Sequence, residues 1–258
     1  NFIYIIHSIM TFKNNILIKK NEISYILKKK TRNGIRKSVV FLCGYRSDKS
    51  GTKANFIEKL RKKYGFEYLR FDYSGHGDSS GDIDDLYLSD WINESKVLIE
   101  KKTSYPIILV GSSMGGWIAF YLSLVIKKKI LGILGISSAI DFTSRLLENL
   151  KTLEYKNYIN NKGIKVNSKY SKKPYIFSNK FINNSRKFLL LQKKIKINCK
   201  VTLLYGLKDI SVDLESQIQL LKILCHSETT LIISKNSDHR MSSNYDLKIL
   251  KDAILTML

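Results

Sequence analysis

Residues 106–117 read Pro106-Ile107-Ile108-Leu109-Val110-Gly111-Ser112-Ser113-Met114-Gly115-Gly116-Trp117. An apolar run, 106–110, ends in Gly-x-Ser-x-Gly, and a helix-like apolar run, 117–126, follows it. The pentapeptide alone matches by chance in about one chain in ten of this length, and a glycine- and serine-rich loop would account for it equally well. The flanks decide the matter. A buried strand before the motif and a long apolar helix after it make the strand–turn–helix in which a serine is lifted onto a sharp turn, its hydroxyl exposed above the positive end of the helix. Ser113 is therefore the candidate nucleophile of a serine hydrolase.

Such a serine needs a base to take its proton and an acid to orient that base, and behind this kind of turn they follow in the chain order Ser, Asp or Glu, His. The run 201–205 reads as a buried strand and leads into Gly206-Leu207-Lys208-Asp209, which puts Asp209 on the loop at the strand's C-terminal edge. A second strand, 230–234, leads into Lys235-Asn236-Ser237-Asp238-His239-Arg240. Three distant residues then converge at the edge where open α/β sheets bind ligands. Among the four histidines, His7, His76, His226 and His239, only His239 has the required order and placement. Asp209 is the favoured acid, and its rival is Asp141, which follows the predicted strand 130–136.

The negative oxygen formed during acyl transfer needs two donors, commonly the N–H after the nucleophile and one from the loop after the third strand. Met114 supplies the first. The run 38–42 reads as a buried strand ending in Cys43-Gly44-Tyr45-Arg46, so Tyr45 N–H is the expected second donor. Arg46 is either a structural cation or a contact for an anionic part of the substrate.

Four blocks, 43–54, 69–77, 110–117 and 237–240, agree in order and spacing with one family. Together they make residues 16–258 closely similar to the α/β-hydrolase domain-containing protein 10 group, mitochondrial acyl-protein thioesterases and their bacterial relatives. The resemblance implies a Ser113, Asp209, His239 triad. It also implies an esterase or thioesterase activity that includes removal of fatty acyl groups from cysteine, on an ester or acylated-protein substrate. A general carboxylesterase or acyltransferase of the same fold is the alternative, and a non-catalytic hydrolase-fold binding protein is a third reading. The segment 147–198, rich in Lys and Asn, departs most from the pattern. The implied compartment is the cytoplasm in a bacterium or the mitochondrial matrix in a eukaryote.

The wider pattern fits an α/β-hydrolase fold in one domain. A chain of 258 residues, 44% hydrophobic, can bury a full core. Strands at 15–18 and 23–27 should form a meander. Alternating strands and helices follow at 38–42, 52–63, 67–71 and 88–101, which predicts a mostly parallel sheet covered on both faces. Residues 141–198 interrupt the rhythm and are expected to form a small cap. Its Tyr155, Tyr158, Tyr170, Tyr175, Phe177 and Phe181 either line an acyl groove or pack the cap onto the sheet, with packing favoured, and Pro174 is expected in a turn. The glycine-punctuated loop 74–81 after Asp72 reads as structural, passing close under the nucleophile turn. It is not a dinucleotide fingerprint, because Ser80 stands where the third glycine is required. No cofactor and no metal site is implied.

The formal charge of +22 would ordinarily suggest nucleic acid or an anionic membrane. Here the excess is dispersed lysine accompanied by abundant Ile and Asn, as an A/T-rich coding sequence produces, and no nucleic-acid module is present. Nucleic acid is not expected as a partner, and what remains is a weak attraction to anionic surfaces at low salt. Cys43, Cys199 and Cys225 have no disulfide or metal spacing, so reduced thiols in an intracellular compartment are expected. Residues 1–10 are too short an apolar stretch to span a bilayer and lack secretory-signal features. They are expected to be an extension or fragment edge, with Met10 as the start.

Overall fold

The computed structural model describes residues 14–160, 163–169, 171, 173–225 and 227–258. The expectations for residues 1–10, His7, Tyr170 and His226 fall outside them. The chain opens with a hairpin, β1 (Asn14–Ile18) and β2 (Asn21–Lys28), and continues β3 (Ser38–Leu42), α1 (Thr52–Tyr64), β4 (Glu67–Phe71), α2 (Leu88–Lys102), β5 (Ile107–Ser112), α3 (Met114–Val125) and β6 (Ile130–Ile136). It then leaves the sheet through α4 (Phe142–Glu148), α5 (Thr152–Ile159), the short strands β7 (Ile164–Val166) and β8 (Tyr175–Phe177), α6 (Asn179–Ser185) and β9 (Ile195–Lys196). It returns as β10 (Lys200–Gly206), α7 (Leu214–Ile223), β11 (Leu224–Cys225), β12 (Thr229–Ser234) and α8 (Asn244–Leu255).

The main sheet runs β1-β2-β4-β3-β5-β6-β10-β12. Every pairing from β4 to β12 is parallel, while β1 and β2 are antiparallel additions at one edge. The central strands show why. All five residues of β3 and all six of β5 are buried, the near-continuous apolar reading of strands covered on both faces. Helix α3 is apolar nearly all round and buries Trp117, Ile118, Ala119, Phe120 and Leu122, and Leu124 and Val125 in its last turn are exposed. Strand order reverses at β3, with β4 on one side and β5 on the other. That reversal opens a crevice beyond the strands' C-terminal ends.

The excursion between β6 and β10 is tied down at several points. The buried Asp141 carboxylate accepts the N–H groups of Leu190 and Leu191 at 2.8–3.0 Å. Trp117 Nε1 donates to Phe188 O at 2.9 Å, and Thr143 and Ser185 join hydroxyls at 2.7 Å. Phe177 and Phe181 are buried, Tyr155 is exposed, and Pro174 stands immediately before β8.

The loop after Asp72 is structural, packed onto the end of β4. A Cβ on Gly77 (φ +49°) would lie 2.3 Å from the Asp72 carboxylate, so glycine is required there. Asp72 accepts from Lys49 N at 2.6 Å, from Lys49 Nζ and from Asp78 N at 2.9 Å. Burial acts to depress the Lys49 ammonium, but the hydrogen bonds and charges of Asp72 and Asp78 outweigh it and the net shift is upward. The β3–α1 loop is thereby locked to the end of β4. Both ends of the Lys49–Asp72 pair are buried, so Lys49→Met leaves a carboxylate stranded and is expected to cost about 3–5 kcal/mol. A urea unfolding midpoint unchanged from wild type would contradict this.

Candidate active site

Ser113 stands between β5 and α3 with φ 55° and ψ −121°, a backbone region that a residue with a Cβ enters only when its surroundings force it. The forcing is visible. Ser113 N donates to Ile136 O at 2.9 Å, and its carbonyl accepts from Gly116 N at 2.9 Å and Ala139 N at 3.0 Å. The turn is tight enough that a Cβ on Gly111 would lie 2.3 Å from Gly115 O, and one on Gly115 would lie 2.1 Å from Leu42 O. Both motif glycines are thus required by close backbone approach.

His239 Nε2 lies 3.0 Å from Ser113 Oγ, and His239 Nδ1 lies 2.7 Å from Asp209 Oδ2. The Asp209 side chain is fully buried, and its other oxygen accepts from Ser211 N at 2.7 Å and Val212 N at 3.0 Å. A carboxylate fixed in this way accepts the hydrogen bond of Nδ1–H and so keeps the proton on Nδ1, which leaves Nε2 to accept from the serine hydroxyl. Asp141, the rival acid, is engaged with Leu190 and Leu191 instead, and burial raises its pKa despite those bonds. His76 is buried among Tyr45, Tyr73 and Trp91, and burial lowers it to about 4, so it stays neutral and packed away.

Met114 opens α3, and Tyr45 follows Gly44 on the loop after β3. Both border the same cavity as Ser113 and His239. A Cβ on Gly44 would lie 3.2 Å from Ser113 Cβ, so this loop passes directly against the nucleophile. The Met114 N–H also sits at the positive end of α3. The Tyr45 ring is held by Trp91, Tyr175 and Phe177 at centroid distances of 5.0–5.9 Å, and burial raises its phenol pKa. Arg46 stacks over Tyr45 and Tyr175 and pairs with Asp84 at 3.0 Å, so it braces the wall while bordering the cavity.

The cavity holds about 420 Å³, within the usual range of small-molecule sites. Of the aromatic residues singled out in the sequence, Tyr175 and Phe177 line it, while Phe181 packs against Trp91. Sequence reasoning missed Phe142, Arg145, Leu146 and Asn149, which border it from α4 and its C-cap. Their i, i+3, i+4, i+7 spacing marks one helix face and was available in the sequence. It also missed Lys53, for which no local signal exists. Among the described residues, no group of three or more His, Cys, Asp and Glu gathers as metal ligands would, and no helix is long and apolar enough to cross a membrane.

The family model described as Hydrolase_4, serine aminopeptidase, S33, matches residues 34–245. Bos taurus "Palmitoyl-protein thioesterase ABHD10, mitochondrial" is 34% identical over 223 residues, 86% of this chain and 72% of that protein. The Homo sapiens protein of the same name is 33% identical over the same shares. A crystal structure from Agrobacterium vitis S4 is 31% identical, with a TM-score of 0.89 over 96% of this chain and 98% of that one. Alpha/beta hydrolase domain-containing protein 10 from mouse gives a TM-score of 0.86 at 26% identity over 95% and 98%.

The two aspartates should separate in experiment. Asp209→Asn is expected to keep the fold and lower kcat by about 10⁴ through loss of the correct imidazole tautomer. Asp141→Asn should mainly lower the unfolding midpoint, because it weakens the acceptor of the Leu190 and Leu191 N–H groups. Equal effects of the two substitutions on kcat would contradict this division.

Proposed function

The chain belongs to the serine aminopeptidase S33 family of hydrolases, alongside the ABHD10 proteins, and from that premise we propose that Ser113, His239 and Asp209 carry out acyl transfer to water on thioester or ester substrates. It is a serine hydrolase, and its substrate class is that of an acyl-protein thioesterase. The hydrogen-bonded series Asp209–His239–Ser113, whose histidine and serine border a cavity lined in part by Tyr45, Phe142, Tyr175 and Phe177, is the observation that carries this reading.

His239 Nε2 takes the Ser113 proton as Oγ attacks the carbonyl carbon. Charge then develops on the carbonyl oxygen, where Met114 N–H and Tyr45 N–H receive it without reorganising, since one begins a buried helix and the other sits on a braced loop. The imidazolium, oriented by Asp209, protonates the departing thiolate or alkoxide. Water next enters, gives a proton to His239 and attacks the acyl-enzyme, which releases the carboxylic acid and regenerates Ser113 Oγ–H. The acyl chain lies against Phe142, Leu146, Val166 and Phe177, the apolar side of the cavity. Residues 141–198 form the cap over it.

The same reading assigns the protein to a reducing compartment, the bacterial cytoplasm or the mitochondrial matrix. The free cysteines Cys43, Cys199 and Cys225 and the mitochondrial relatives support it.

Ser113→Ala is expected to keep wild-type circular dichroism and to lower kcat by on the order of 10⁶. Matched thioesters and oxygen esters over several chain lengths should show the highest kcat/KM for long-chain thioesters. Retained turnover in purified Ser113→Ala would remove the nucleophile assignment. A preference for short oxygen esters would replace the thioesterase reading with that of a general carboxylesterase.

A further inference from the structure

Lys53 lies in the first turn of α1, the end of a helix where a positive charge is disfavoured and acidic residues are usual. It has been carried into the wall of the active-site cavity. There its ammonium donates to the carbonyl oxygen of Arg240 and approaches Ser242 Oγ at 3.4 Å, 187 and 189 residues further along the chain. Arg240 is the residue after His239.

The segment that presents His239 needs holding. Between β12 and α8 it turns back on itself, with Met241 N donating to Asp238 O at 3.1 Å and Arg240 N to Asp238 Oδ1 at 3.0 Å. Met241 is held at φ 42°, a conformation unfavourable for a side-chain-bearing residue. On the core side this segment is anchored through Ser237, whose hydroxyl bonds Asp246 and Ser234. On the cavity side contacts include Lys53 at the Arg240 carbonyl and Lys169 at the Asp238 carboxylate.

We propose that Lys53 is a positioning residue for the reaction: by holding the Arg240 carbonyl it fixes the 238–242 turn, and so keeps His239 Nε2 within reach of Ser113 Oγ. The inference rests on the assignment of Ser113 and His239 made above. Burial pulls the Lys53 ammonium down to about 8, and the neighbouring Arg240 charge adds to this while Asp238 and Asp246 oppose it. Arg46, Arg145, Lys169 and Asp213 share the cavity wall, and Lys169 pairs with Asp238 at 3.7 Å. Below about pH 8 the group is charged and holds the carbonyl strongly. Above that pH it becomes a neutral amine, a weaker donor.

The test compares wild type, Lys53→Met and Lys53→Arg by labelling with a fluorophosphonate probe and by turnover of 4-nitrophenyl octanoate. Lys53→Met should label about 10- to 100-fold more slowly, with kcat reduced to match and KM within about twofold, because what is lost is the alignment of the base rather than a substrate contact. Lys53→Arg, which keeps a charged donor at every working pH, should recover most of the rate. The wild-type kcat should also decline as pH rises through about 8, and in Lys53→Arg that decline should move to higher pH. Wild-type labelling by Lys53→Met would overturn the proposal, as would a loss confined to KM. If Lys53→Met fails to fold, Lys53→Gln is compared instead, and labelling of that variant at the wild-type rate overturns it. Wild type that does not label at all would instead remove the nucleophile assignment beneath it.

Discussion

The backbone of α3 rests directly on the end of β3. No side chain separates them at Gly115, where even a methyl group would meet the carbonyl oxygens of Leu42 and Cys43 at 2.1 and 2.5 Å. Much of the active-site geometry follows from that contact. The turn that lifts Ser113 has to close sharply enough to bring the helix onto the strand. The strand's next residues, Gly44 and Tyr45, then emerge beside the serine instead of beneath it. Two N–H groups and a hydroxyl are gathered by main-chain packing, which carries little conformational entropy to lose when a substrate arrives.

The stretch from Cys43 to Lys53 is where the separate parts of the site are joined. Tyr45 offers an N–H at one end, Lys49 is pinned in the middle by Asp72, and Lys53 grips the histidine turn at the other end. Arg70, on β4, reinforces this by donating to Lys49 O at 2.8 Å and to Asn55 Oδ1 at 2.6 Å. One loop therefore joins Tyr45, the proposed oxyanion donor, to the turn that carries His239.

What could be read in the sequence was what local pattern encodes. The strands β3, β5, β6 and β10 are apolar runs of strand length, and α1 and α2 begin and end within a residue or so of their expected limits. Asp209 and His239 were reachable because chain order and strand ends constrain where such residues can be. The choice between Asp141 and Asp209 was not settled there. Both leave a strand at the same edge, and the difference is that Asp141 is occupied by N–H groups of residues 49 and 50 positions away. The excursion after β6 was legible only as an interruption, since β7 and β8 are three residues each and too short to show a period. Lys49 and Lys53 were hidden for another reason. In so lysine-rich a chain, nothing local distinguishes the few lysines that are drawn inward from the many that are solvated.

That same abundance bears on how the cavity selects. Arg46, Arg145 and Lys169 border it, yet each faces a carboxylate, Asp84, Asp213 and Asp238, whose side chains are 69%, 58% and 41% exposed. Pairs this open are worth about 0–1 kcal/mol each and weaken with salt, so they shape the rim more than they fix a ligand. The cavity is also lined by Phe142, Leu146, Val166, Tyr175 and Phe177. Burial of an acyl chain against such a surface gains about 0.8 kcal/mol per methylene. On the proposal that the occupant is an acyl chain, a few additional carbons outweigh any one of these exposed pairs.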